Sequence, residues 1–120
     1  MKKKVNKNEL EYTAPEIIRG ENGDSKVDIW SLGVLTYTII EGMSPFYDET
    51  EDKIKENILK SEVSFNSDSW LTVEEDIKDF IRLCLNKNPA LRPTADELNE
   101  HLFIKNYTTK GIFDITKEAA

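Results

Sequence analysis

From Val27 to Glu41 the apolar residues fall on nearly every face of a would-be helix: Ile29, Trp30, Leu32, Val34, Leu35, Tyr37, Ile39 and Ile40. A helix without a polar face belongs in an interior. The pattern therefore predicts a central helix buried on every side. Ser25 stands where an N-cap belongs, with Asp28 three residues later as its acidic partner, and Gly42 as the C′ stop. Before it, Gly20-Glu21-Asn22-Gly23-Asp24 reads as loop. Pro15 limits helix upstream, and Glu16-Ile17-Ile18 fits a short helical turn.

The other elements are amphipathic. About Thr50 to Lys60 a helix buries Ile54, Ile58 and Leu59 and exposes Glu51, Asp52, Lys53 and Lys55. The stretch 61–71 reads as loop, anchored by Phe65 and Trp70. Thr72-Val73-Glu74-Glu75 has the form of a capping box. It opens a helix in which Val73, Ile77, Phe80, Ile81, Cys84 and Leu85 keep the i, i+4, i+7, i+8 spacing. Asn86-Lys87-Asn88-Pro89 stops that helix. Thr94-Ala95-Asp96-Glu97 is a second capping box, opening a helix to about Leu102 with Ala95, Leu98 and Leu102 inward. No run reads as a strand. The expected class is all-α, a helical bundle around one buried central helix. Residues 1–11 read as a flexible basic and polar tail, 12–105 as the domain, and 106–120 as a second tail in which Ile112, Phe113 and Ile115 could dock.

Composition narrows the function classes. The chain has 120 residues, 38% hydrophobic and 32% charged, which suits one soluble globular domain. Its net charge of −7 argues against a nucleic-acid partner, which demands a basic face. Cys84 is the only cysteine, so no internal disulfide can form, and a reducing cytoplasmic or nuclear setting is expected. The longest apolar stretch, Leu32 to Ile40, is far short of the roughly 20 residues that cross a bilayer, so no membrane partner is expected. His101 is the only histidine and has no cysteine or carboxylate at ligand spacing, so it reads as a packing residue, and no metal site is expected. Cys84 lies on an apolar helix face and reads as a buried, inert thiol.

Five short motifs occur in order: Ala14-Pro15-Glu16, Asp28-Ile29-Trp30-Ser31-Leu32-Gly33, Gly42-Met43-Ser44-Pro45-Phe46, Asn88-Pro89-Ala90-Leu91-Arg92-Pro93-Thr94, and His101-Leu102-Phe103. In this order and register they resemble the C-terminal part of the large lobe of eukaryotic-type serine/threonine protein kinases, most like the calcium/calmodulin-dependent branch. The resemblance covers about Tyr12 to Ile104. Asn8-Glu9 departs from it, since the family has Gly-Thr there.

The resemblance implies roles for single residues. Glu16 and Arg92 resemble a buried acid–guanidinium pair that joins the loop before the central helix to the loop before the last one. Asp28 resembles the aspartate that holds the catalytic loop; in this chain it is expected to serve only the first turn of its own helix. Trp30 is a structural residue of the same helix. Tyr12 and Thr13 resemble the loop that receives the substrate residue next to the phosphorylated one. Glu41, Asp48 and Glu49 could help to read basic residues of a protein substrate, although a solvated acidic face is the blander account.

Phosphoryl transfer needs a glycine-rich loop, a nucleotide-binding lysine, metal-binding Asp and Asn, and an aspartate base. None of Gly-x-Gly-x-x-Gly, Val-Ala-Ile-Lys, His-Arg-Asp or Asp-Phe-Gly occurs here. The chain is therefore expected to hold no catalytic, cofactor or metal residue; ATP and Mg2+ would belong to a parent kinase. One reading is a kinase fragment, inactive alone, whose partners are a protein substrate and the kinase's N-terminal half. The alternative is a stand-alone kinase relic, a pseudokinase-like interaction module. Without a catalytic loop, one side of the central helix is expected to be exposed yet apolar, which favours a homodimer.

Overall fold

The computed structural model describes residues 7–107, and every regular element among them is helical. The elements are α1 (Lys7–Leu10), α2 (Pro15–Ile18), α3 (Lys26–Glu41), α4 (Glu51–Lys60), a 3-10 turn (Asp68–Trp70), α5 (Glu75–Cys84), α6 (Ala95–Asn99) and α7 (Leu102–Tyr107). The expected docking of Ile112, Phe113 and Ile115 lies outside the described residues, as does most of the N-terminal tail.

Helix α3 is the central beam. Asp24, not Ser25, supplies its cap: the Asp24 carboxylate accepts the Lys26 N–H at 2.8 Å, while Ser25 is already helical and caps nothing with its side chain. An aspartate one position earlier reaches the same orphan donors. Gly42 ends the helix as expected, at φ 90°, with its N–H on Thr38 O at 2.8 Å. Inside the apolar run, the Thr36 and Thr38 hydroxyls bond back to the carbonyls of Leu32 and Val34.

Burial of α3 is one-sided, which corrects the expectation of a helix covered all round and bears out the expectation of one exposed, apolar side. Trp30 and Val34 are wholly buried, but Leu32, Leu35 and Ile39 are 39%, 45% and 74% exposed. With exposed Asp28 these occupy i, i+4, i+7 and i+11, a single stripe. Met43, just beyond the helix, is also exposed.

The main core gathers Trp30, Val34 and Tyr37 of α3 with Phe46, Ile54, Ile58, Trp70 and Ile81. Trp30 stacks on Phe46 with centroids 5.4 Å apart, and Tyr37, Phe65 and Trp70 form a second aromatic group. A smaller cluster of Ile29, Phe80, Cys84 and Leu98 lies beneath α7, joined by Phe103 and Ile104. Helices α3 and α5 approach closely at Gly33, where a Cβ would stand 2.6 Å from the Cβ of Cys84.

The smaller helices depart from expectation in four respects. Leu10 is buried in the main core, so the stretch expected to be a loose tail through residue 11 is pinned at its end. The Thr72 capping box does not form. Trp70 is buried, and the Val73 N–H closes a turn on its carbonyl, so α5 begins only at Glu75. The Thr94–Glu97 box does form, with both bonds at 3.1 Å. Its helix stops at Asn99, because the N–H groups of Glu100 and His101 tighten onto the carbonyls of Glu97 and Leu98. A new helix, α7, then starts at Leu102. Ala95 and Leu102, expected inward, are exposed.

Candidate functional site

The buried polar feature of the fold joins a short helix to a loop. Pro15 opens α2 at a position that needs no N–H, and Glu16 follows it into the interior. Between α5 and α6 the turn Asn86–Leu91 is shaped by its own amides: the Asn86 side chain accepts from the Asn88 N–H, and the Asn88 side chain from the Ala90 N–H. This sets Arg92 against Glu16. Arg92 Nη1 lies 2.8 Å from Glu16 Oε2 and Nη2 lies 3.0 Å from Oε1, a bidentate pair across 76 residues of sequence. Both side chains are essentially excluded from solvent, at 0% and 3%.

The guanidinium spends four of its five N–H donors. Nε donates to the Asn86 carbonyl at 3.0 Å, Nη1 also to the Lys26 carbonyl at 2.8 Å, and Cζ stands 5.2 Å from the centre of the Trp30 ring. Burial alone would push the Glu16 carboxyl upward; the Arg92 hydrogen bonds and charge outweigh it and hold the group below its ordinary value. Lys26 returns the contact, donating Nζ to the carbonyls of Pro89 and Arg92.

Lys87 was not singled out by sequence, because a lysine in an Asn-Lys-Asn-Pro turn looks like ordinary surface. Its Nζ donates to Ile58 O at 2.8 Å, an orphan carbonyl at the end of α4, and lies 4.9 Å from the Phe46 ring centre. Burial pushes its pKa down. Trp30 Nε1 is the one buried side-chain polar atom without a hydrogen-bond partner among the described residues.

Tyr12 and Thr13 close the turn after α1: Tyr12 N–H reaches Glu9 O at 3.1 Å, the Thr13 hydroxyl donates to the same carbonyl at 3.0 Å, and Ser31 Oγ donates to Tyr12 O. They line an open cleft of about 510 Å³ with Glu9, Ile17, Val27 and Ser31. The acidic residues do not form one group. Glu41 accepts from the Trp70 indole and the Ser67 hydroxyl, so it is tied into the fold. Asp48 accepts from Asn57 at 3.3 Å, and Glu49 is exposed. Asp28 is exposed at the head of the uncovered stripe, its N–H on Ser25 O. Burial pushes the Cys84 thiol up to about 12, as befits an inert core residue.

The protein kinase domain profile matches residues 2–104 of this sequence. The chain belongs to the protein kinase domain family. It is 40% identical over 94 residues to calcium-dependent protein kinase 21 of Arabidopsis thaliana, covering 78% of this chain and 18% of that protein. It is 38% identical over 94 residues to calcium/calmodulin-dependent protein kinase type I of Schizosaccharomyces pombe, covering 78% of this chain and 28% of that protein. The twitchin kinase region from C. elegans superposes with a TM-score of 0.78 at 33% identity, over 83% of this chain and 18% of that structure. The chain thus spans under a third of the length of the relatives it matches, and corresponds to the C-terminal part of a kinase large lobe. The match begins at residue 2, ten residues before Tyr12, at which the motif resemblance starts. Among the described residues no helix is long and apolar enough to cross a membrane.

Proposed function

We propose that this kinase segment is the helical base of the large lobe of a serine/threonine protein kinase, and that it does not catalyse on its own. In the complete domain the γ-phosphate of ATP passes to a protein hydroxyl. This segment supplies the floor on which the reaction centre rests and part of the face that meets the protein substrate.

The observation that carries this reading is the stripe Asp28, Leu32, Leu35, Ile39. Three large apolar side chains stand in solvent along the central helix, with a carboxylate at their head. Soluble domains rarely leave such a stripe bare. The chain matches only 18% and 28% of the length of two kinase relatives, which supports assigning the cover to the preceding half of a kinase domain, with Asp28 as an acceptor for its backbone.

In this reading no nucleotide or magnesium is placed on the described residues. The cleft lined by two cations, Lys26 and Arg92, has a volume of about 450 Å³, but Arg92 already donates to Glu16 and two carbonyls, and Lys26 to two more. With most of their donors committed inside the fold, these two cations are poorly placed to hold a phosphate, and no step is assigned to ATP or Mg2+ within this segment.

Substrate contact falls to the Tyr12–Thr13 cleft, with Asp48 and Glu49 on the outer acidic surface. Glu41 drops out of that role because its carboxylate anchors Trp70 and Ser67. Calorimetric titration of Mg·ATP into the chain tests the reading. No heat of binding is expected up to millimolar nucleotide; binding at millimolar or tighter affinity, or transfer of label from γ-labelled ATP to a serine peptide, refutes it.

A further inference from the structure

The C-terminal helix of the described chain is fastened by an imidazole. His101 occupies the N-cap position of α7: its carbonyl accepts the Lys105 N–H at 3.0 Å, and its Nδ1 accepts the Phe103 N–H at 3.0 Å. A ring nitrogen that accepts carries no hydrogen, so the imidazole proton sits on Nε2. That nitrogen lies 2.7 Å from Asp79 Oδ2 on α5. One neutral ring therefore caps α7 and ties it to α5 at the same time, with its edge against Phe80, 5.6 Å between centroids.

We propose that His101 is a pH-operated fastener: neutral, it caps α7; protonated, it releases the first turn of that helix. Protonation places a hydrogen on Nδ1, where the Phe103 N–H already points, so an acceptor becomes a second donor and the cap is lost. The same proton strengthens the attraction to Asp79. These effects oppose each other, and exposure decides between them. Asp79 is 59% exposed, so water screens its pull, whereas the His101 ring is only 11% exposed and its cap bond has no solvent substitute while α7 stays docked.

Among the described residues, the other charges that line the cleft beside the ring nearly cancel. Glu97 and Glu100 of α6 and its exit, and Lys26 and Arg92 from the neighbouring loops, line the same cleft. Lys105 of α7 pairs with Glu100 at 2.8 Å, and Arg92 is neutralised by Glu16. Of these, Glu97 is held below its ordinary pKa by the Thr94 backbone and hydroxyl, so it keeps its charge throughout the histidine range.

The chain has a single histidine, so its titration is unambiguous by NMR. Amide exchange of the full chain is compared at pH 7.5 and 5.5 after correction for intrinsic rates. Protection at Phe103–Lys105 is expected to fall by roughly three- to tenfold on protonation, while α5 amides hold. The Phe103 amide shift should titrate together with the His101 ring. His101→Asn, which caps at any pH, should make α7 insensitive; Asp79→Asn should deepen the acid loss. Unchanged or increased protection of α7 at low pH, an equal loss in α5, or a Phe103 amide that ignores the ring's titration overturns the proposal.

Discussion

Arg92 and Glu16 meet through two parallel hydrogen bonds of 2.8 and 3.0 Å in a site closed to water, although 76 residues separate them. The joint locks α2 to the turn before α6 and seats the guanidinium against Trp30. Removing one partner strands a charge in the interior, which costs on the order of 3–5 kcal/mol. Arg92→Ala should therefore lower the thermal midpoint by more than about 10 °C, or abolish a cooperative transition. Arg92→Lys should rescue little, since an ammonium cannot make the fork or keep the bonds to Asn86 and Lys26. Thermal melts by circular dichroism check both; a shift below a degree or two would show that the joint carries no stability.

The same pair sets an acid limit. Glu16 is held below its ordinary value when folded, so its contribution is complete above the unfolded carboxylate range, near 4.3, and is lost as pH falls toward the folded value. Urea midpoints should stay level in this respect from pH 7 to 5 and fall below about 4.3. Glu97, also lowered, titrates in the same direction. Glu16→Gln separates the two: the variant should be weaker at pH 7 and lose less than the parent on acidification. Parallel curves for variant and parent would remove Glu16 as a source of the slope.

Gly33 offers a test of the α3–α5 contact. In a solvent-exposed helix, alanine in place of glycine gains about 1 kcal/mol. Here the added carbon would stand 2.6 Å from Cys84 Cβ and 2.9 Å from Leu85 Cδ2, and the first of these is too close to the backbone to swing away. Overpacking costs about 1–3 kcal/mol. Gly33→Ala should thus destabilise, by urea denaturation, despite the better propensity. Loosening should also show in the thiol: Cys84, inert in the parent because burial holds it protonated to about 12, should react faster with a disulfide reagent at pH 8. A stabilised variant with an unreactive thiol would mean that the helices do not approach as described.

Much of this fold was legible because local chemistry and tertiary packing agree. Gly42 and the Thr94–Glu97 box punctuate helices on residue type alone. The Glu16–Arg92 joint was legible only through motif order, since spacing by itself does not bring a glutamate to an arginine 76 positions away. Where packing overrides local signals, the sequence misleads. Thr72 has the letters of a cap, but the buried Trp70 takes the chain through a turn instead. Lys87 reads as surface and works as an interior cap for α4. The acid at Glu41 reads as part of a charged face and anchors an indole. One-sided burial of α3 cannot be read from periodicity, because a helix apolar all round looks the same whether or not its cover is present.

That uncovered side supports the last expectation. Leu32, Leu35 and Ile39 stand 39%, 45% and 74% exposed on one stripe, and Met43 extends it at 52%. Burying a leucine or isoleucine is worth roughly 1.5–3 kcal/mol when complete, so a self-complementary stripe doubled by a two-fold axis offers a real driving force against the entropy of association. The isolated chain should therefore self-associate at tens of micromolar, roughly, in a concentration-dependent way. Ile39→Asp should return it to a monomer by light scattering with little loss of thermal stability, because the side chain is three-quarters exposed in the single chain. Substituting Leu71, 79% exposed and off the stripe, should leave association unchanged. Supplying a polypeptide that contains the preceding half of a kinase domain should compete with self-association if the stripe is that half's seat. A chain that stays monomeric at these concentrations would remove the stripe as a self-association surface, and association that survives Ile39→Asp would locate the contact elsewhere.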